Sequence, residues 1–205
     1  MPAETELVLY HMPQSRSITV LWMLEELGRP YRIQKLDVNR NEQRGAAYLK
    51  INPSGKVPAV ADGDLLVTER GAIMVYLADR YAPGRLAPRV DEPDRADYLR
   101  WMFYAIGVME PQFALALVKA PIEAPPGALA WGEWDTMIGV LEKAAKSGPY
   151  LLGDRFSAAD IMVGSFIGWA MQMGLLPKEG AIADYAARTI DRPSWARTLA
   201  ADGTR

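Results

Sequence analysis

The chain has 205 residues; half are hydrophobic, 23% are charged, and 23 basic against 25 acidic side chains leave a formal charge of −2. That length allows one or two domains, the apolar share excludes a disordered chain, and the missing basic surplus argues against nucleic acid as a partner. With no cysteine and a single histidine, His11, disulfides and cysteine nucleophiles are excluded. No metal centre and no Ser-His-Asp triad are expected, and His11 is read as a partly exposed residue without a role.

The start, MPAETELVLY, is acidic and lacks the basic segment and apolar core of a secretory signal. The most apolar stretch, Ile161 to Leu176, falls short of the ~20 residues a bilayer requires, and Gly164, Ser165, Gly168, Gln172 and Gly174 interrupt it. A buried helix is expected there, with no membrane partner. The absence of cysteine fits a reducing compartment, and the expected location is cytoplasmic.

In chain order, Leu7-Val8-Leu9-Tyr10 reads as a strand covered on both faces. After the loop HMPQSRS, Ser17, Val20, Leu21, Leu24 and Leu27 recur at helical spacing and Gly28 closes the helix. Tyr31 to Asp37 is a second strand, whose crossover implies parallel pairing, and a short polar helix lies near Asn41 to Tyr48. Asp62-Gly63 marks a hairpin between Pro58–Ala61 and Leu65–Val67. Thr68 is read as the N-cap of a helix with Ala72, Ile73, Tyr76 and Leu77 on one face. Ala82-Pro83-Gly84 opens a linker.

From Asp91 onward the pattern is helical. Leu99, Met102, Phe103, Ile106 and Met109 form one stripe, Pro121, Pro125 and Pro126 punctuate, and a helix covers Ala128 to Lys146. Ser157-Ala158-Ala159-Asp160 has the form of a capping box, with Phe156 at the staple position. A long helix follows to about Gly174, and two short ones lie near Ala181–Arg188 and Ser194–Ala200. The organisation predicted is an α/β domain over 1–82, a linker over 83–90 and an all-helical domain over 91–205. A cleft between two such domains is a natural ligand site.

Three places could carry chemistry. Tyr10, Ser15 and Ser17 crowd the first strand–helix junction, where a hydroxyl can donate to an anion beside the helix N-terminus; a serine cap is the plainer reading. Lys56-Val57-Pro58 can offer extended backbone to a peptide-like ligand, or be an ordinary turn. Thr68-Glu69-Arg70 opens a helix whose N–H groups and Arg70 suit a carboxylate and whose Glu69 suits an ammonium group; it is equally a well-capped helix start.

The order of these segments resembles the cytosolic glutathione transferases: LYHMPQSRSITVLWMLEELGRPY, INPSGKVPAV, DGDLLVTERGAIMVYLADRY and YLLGDRFSAADIMVGS fall in family sequence. The resemblance implies a thioredoxin-like first domain, a helical second domain and a homodimer. It implies glutathione as co-substrate, with its thiolate attacking a small hydrophobic electrophile. Val57-Pro58 would be a cis bond whose backbone pairs with the cysteinyl unit, Glu69 and the following N–H groups would hold the γ-glutamyl end, and Lys56 would sit near the glycyl end. Arg16 would face the thiol or a carboxylate. Arg70 departs from the serine or threonine of many members. The thiol-activating hydroxyl would be Ser15 or Ser17 as in serine-type members, or Tyr10 as in tyrosine-type ones. Trp101, Tyr104 and Met109 are candidates for the electrophile pocket, or equally core residues of their helix. Glutathione-dependent disulfide reduction or peroxidase chemistry, or a non-catalytic binding role, are the alternatives.

Overall fold

A computed structural model describes residues 6–119 and 123–203; the first five residues and Pro121 lie outside the described residues. The chain forms two compact units: one runs to Tyr81 and takes in the chain from Arg192 onward, and the other runs from Ala82 to Asp191.

In the first unit, strands β1 (Leu7–His11), β2 (Tyr31–Lys35), β3 (Ala59–Asp62) and β4 (Leu65–Thr68) form one sheet in the order β2-β1-β3-β4. β1 pairs with β2 in parallel and with β3 antiparallel, and β3 pairs antiparallel with β4. This mixed sheet with its helices is the expected thioredoxin-like α/β arrangement. Central β1 is apolar and buried, as a strand covered on both faces must be. The β3–β4 turn is Gly63-Asp64, one residue later than expected, because Asp62 still pairs with Leu65.

Helix α1 (Ser17–Leu27) ends at Gly28, whose left-handed backbone (φ 66°) lets its N–H reach the Leu24 carbonyl. It is buried on most of its circumference and packs on β1, on α3 (Arg70–Tyr81) and on α9 (Pro193–Asp202). The polar segment after β2 is a 3₁₀ turn, Glu42–Arg44, and the short α2 (Ala46–Leu49). Thr68 is the last residue of β4 and not a cap. Glu69 takes that position with φ 67°, its carbonyl accepting the Ile73 N–H. Helix α3 buries Arg70, Ile73, Met74, Leu77 and Ala78, while Ala72 is exposed.

The last helix corrects the expected boundaries. Residues 192–203 were expected in the helical domain, yet α9 lies on α1. The cause is unmet demand on α1. The Trp22 indole N–H donates to Ser194 Oγ at 3.2 Å and its ring meets Trp195 at 4.8 Å. Arg192 donates through Nε and Nη2 to Glu26 at 2.5 and 2.9 Å, and Arg197 Nε donates to Glu25 at 2.7 Å.

The second unit is helical: α4 (Arg95–Tyr104), α5 (Glu110–Val118), α6 (Trp134–Ser147), α7 (Ala158–Gln172) and α8 (Ala181–Ile190). A π-helical turn, Ala105–Met109, joins α4 to α5. The continuous run Arg95–Val118 is long and apolar enough to cross a membrane by length and composition. Its Tyr98, Trp101, Met102, Met109 and Phe113 are nonetheless buried in the core of this unit. Phe103 and Ile106, expected on the buried stripe, face outward at 71% and 37% exposure. The segment after the prolines is a 3₁₀ turn at Pro126–Ala128, so α6 starts later than predicted. Helix α7 is the buried apolar helix foreseen, opened by the complete Ser157/Asp160 capping box. Gly164 lets α8 approach it, since a Cβ there would stand 2.5 Å from Thr189 Oγ1.

Candidate functional site

Sheet register gathers the three motifs. Tyr10 lies opposite Ala59, and Ala59 opposite Thr68. The loop leaving β1, the Lys56-Val57-Pro58 segment entering β3 and Glu69 leaving β4 therefore emerge from one end of the sheet.

The β3 approach is tightly held. The Lys56 carbonyl accepts from Tyr48 Oη and from Asn52 Nδ2, each at 2.7 Å. Ser54 N–H reaches Asn52 Oδ1 at 3.0 Å, closing an Asx turn. Gly55 has φ 59°, and a Cβ there would meet Arg44 Cδ at 2.9 Å and the Gln43 carbonyl at 3.0 Å. The Val57–Pro58 bond is cis, the Lys56 side chain is exposed and Val57 is half-buried. Just after β4, Glu69 is exposed, whereas Arg70, the first residue of α3, is buried.

In the β1–α1 loop, Ser15 Oγ donates to the Met12 carbonyl at 2.7 Å and accepts the Ser17 N–H at 3.2 Å. It lies 2.8 Å from Ser17 Oγ, and Ser17 Oγ lies 2.8 Å from His11 Nδ1. Ser17 Oγ also accepts the Met12 N–H at 3.2 Å and stands 3.0 Å from the Met12 carbonyl. On the far side of the imidazole, Nε2 is 3.0 Å from Asp202 Oδ1 of α9. Asp202 Oδ2 accepts the N–H of Gln14, a residue with φ 55°.

His11, Ser17 and Asp202 are buried, Ser15 is half-buried and Arg16 is exposed. This corrects the reading of His11 as partly exposed: its side chain has no accessible surface and closes a Ser–His–Asp array. The array is not a nucleophilic triad, because buried Ser17 offers a substrate no access. Burial pushes the imidazole below its ordinary value, and Lys35 adds to this while Asp202 opposes it. His11 is therefore neutral at neutral pH. Asp202 had no local signal: its partner Gln14 is 188 positions away. The lone histidine at the end of β1 was the only hint.

Tyr10 is half-buried with its ring 5.8 Å from Tyr48, and burial raises the Tyr48 phenol to about 12. In the second unit Trp101 and Met109 are core residues, and the Trp101 ring meets Tyr104 edge-on at 5.5 Å. Tyr104 is half-buried, the one of the three pocket candidates that keeps accessible surface; burial raises its phenol. Among the described residues, no three His, Cys, Asp or Glu side chains are grouped to hold a metal ion.

Comparison with known proteins places these features in a family. The glutathione S-transferase N-terminal domain model matches residues 5–79 and the C-terminal domain model residues 114–196. The disulfide-bond oxidoreductase YfcG of Escherichia coli is 29% identical over 93% of this chain and 93% of its own. Glutathione S-transferase 1 of Schizosaccharomyces pombe is 31% identical over 78% of this chain and 72% of its own. The glutathione transferase URE2P6 of Phanerochaete chrysosporium, crystallised in complex with oxidized glutathione, superposes with a TM-score of 0.78 at 27% identity, covering 99% of both chains. With both domain models matched and a relative of this likeness, the chain belongs to the glutathione S-transferase family.

Proposed function

We propose that the protein is an enzyme that binds glutathione at the end of its sheet and transfers the thiolate to a small hydrophobic electrophile. The observation that carries this reading is the half-buried Ser15 hydroxyl at the sheet end where Val57-Pro58 and Glu69 also emerge. A transferase bound to oxidized glutathione among its structural relatives supports the ligand. In this reading the Val57 backbone pairs with the cysteinyl unit, Glu69 takes the γ-glutamyl ammonium, and Lys56 and Arg16 face the peptide's carboxylates. Arg70, being buried, supports the helix start and leaves the γ-glutamyl carboxylate to backbone N–H groups.

A free thiol of pKa about 8.5 is only ~3% ionised at pH 7. A hydrogen bond to a charged group is worth roughly 1.5–3 kcal/mol, which lowers the pKa by about one to two units. At a pKa near 7 about half the thiol is ionised, and falling nucleophilicity erodes part of that gain. Holding both reactants together supplies the rest.

A second reading is glutathione-dependent disulfide reduction, favoured by the likeness to an oxidoreductase. Without cysteine the protein would orient bound glutathione and form no mixed disulfide of its own. Turnover of a halogenated aromatic against turnover of a small disulfide separates the two. Glutathione at about 100 times its Kd stabilises a binding protein by about 2.7 kcal/mol; an unmoved Tm at millimolar glutathione overturns both.

A further inference from the structure

We propose that the imidazole of the buried His11–Asp202 pair accepts the Ser17 O–H as a hydrogen bond, which makes Ser15 the one hydroxyl of the loop with an O–H to give to a ligand sulfur. The inference rests on the reading above that the thiol of glutathione meets this loop. It follows from counting protons. Asp202 Oδ1 stands 3.0 Å from Nε2; the two atoms are not aligned as a hydrogen bond, but a carboxylate charge this close favours the imidazole proton on that nitrogen. The neutral ring then has a bare Nδ1, an acceptor, 2.8 Å from Ser17 Oγ. Ser17 has one O–H, and Nδ1 is its shortest acceptor apart from the other serine.

With that proton committed, Ser17 Oγ serves Met12 N–H as an acceptor. Ser15 Oγ receives the Ser17 N–H, and its own O–H rests on the Met12 carbonyl at 2.7 Å. That O–H is the only one in the loop whose partner a thiolate can replace without leaving a buried nitrogen bare. Burial agrees, since Ser15 is half-buried and Ser17 fully buried. The groups facing the imidazole are Ser17 of α1, Lys35 of β2 and Asp202 of α9. Burial and Lys35 both keep the ring neutral, as the scheme requires. His11, Ser17 and Asp202 are thus positioning residues, and Ser15 alone touches the sulfur.

A single histidine makes the test direct, because the nitrogen-15 spectrum of the untagged protein contains one imidazole. A neutral ring protonated at Nε2 is expected between about pH 6.5 and 8, with or without glutathione. In Asp202→Asn the amide can donate to Nε2, and the ring is expected to move its proton to Nδ1. The bound thiol is followed in parallel by thiolate absorbance against pH. Ser15→Ala should raise its pKa by about one unit, a roughly tenfold loss of thiolate at pH 7, while Ser17→Ala, which removes only a positioning residue, should raise it by less than half as much with circular dichroism unchanged. An Nδ1-protonated ring in the wild type overturns the proposal. So does an imidazolium formed on adding glutathione, which would mean that the thiol proton travels inward. A thiol pKa that follows Ser17 and ignores Ser15 overturns it as well. If glutathione does not bind at all, the site reading fails while the histidine spectrum still decides the tautomer.

Discussion

At the scale of single residues, Glu69 and His11 make contrasting demands. Glu69 is exposed, so its role is tested by affinity: Glu69→Ala should weaken glutathione binding about tenfold, the value of one charge-assisted hydrogen bond, measured by calorimetry at unchanged Tm. His11 has a folded pKa depressed below its ordinary 6.5, chiefly by burial. The unfolded chain then binds the proton first as pH falls. The stability that neutral His11 confers is present above about pH 6.5 and is lost on acidification toward the depressed value. Urea denaturation of the wild type should therefore weaken between pH 7 and 5 by more than that of His11→Gln. The importance of His11 was not legible in the sequence because burial is a property of its surroundings. A histidine one residue past an apolar run reads alike whether it ends in solvent or beneath a helix almost two hundred positions later.

At the scale of elements, α7 shows how a local signal becomes a tertiary one. Asp160 Oδ2 accepts the Ser157 N–H at 2.8 Å and its hydroxyl at 3.0 Å, as a capping box predicts. Oδ1 accepts the Leu151 N–H and the Tyr185 hydroxyl, each at 2.9 Å, which ties the helix start to the preceding turn and to α8. Burial pushes the carboxyl up, and these four donors pull it back. Asp160→Ala strands several buried donors at once and should cost about 3 kcal/mol in urea denaturation. Asp160→Asn should cost less, since it keeps one acceptor. The capping box, α1 with Gly28 and the β3–β4 hairpin were legible because each depends on neighbours a few positions apart. The start of α3 was misplaced by one residue because Thr68 satisfies β4, a strand partner that a helix rule does not weigh. Phe103 and Ile106 were misplaced because the run is apolar on two adjoining faces, and the one that packs inward carries Tyr98, Trp101, Met102, Ala105 and Met109.

At the scale of the molecule, both units expose large apolar side chains: Leu65 and Leu66 on the edge strand β4, and Phe103 and Ile106 in the second unit. Exposed apolar groups on an edge strand invite a partner, which fits the homodimer that family resemblance implies. Light scattering coupled to size exclusion is expected to give twice the chain mass, and Leu66→Glu or Phe103→Glu should shift the protein to the monomer. A wild-type monomer at micromolar concentration would refute this. The two-domain plan was legible from the change of pattern near residue 83, but the return of α9 was not. A short amphipathic helix carries no mark of which unit it will cover.

That return has a consequence for the order of synthesis. A ribosome must complete all of Ala82–Asp191 before α9 emerges, so Trp22 waits uncovered and Glu26 waits for Arg192 while the entire helical unit is made. The first unit to be translated is the last to be finished. Cutting the gene at the visible boundary therefore yields a front fragment that lacks its own closing segment and, with it, the Asp202 partner of His11 and Gln14.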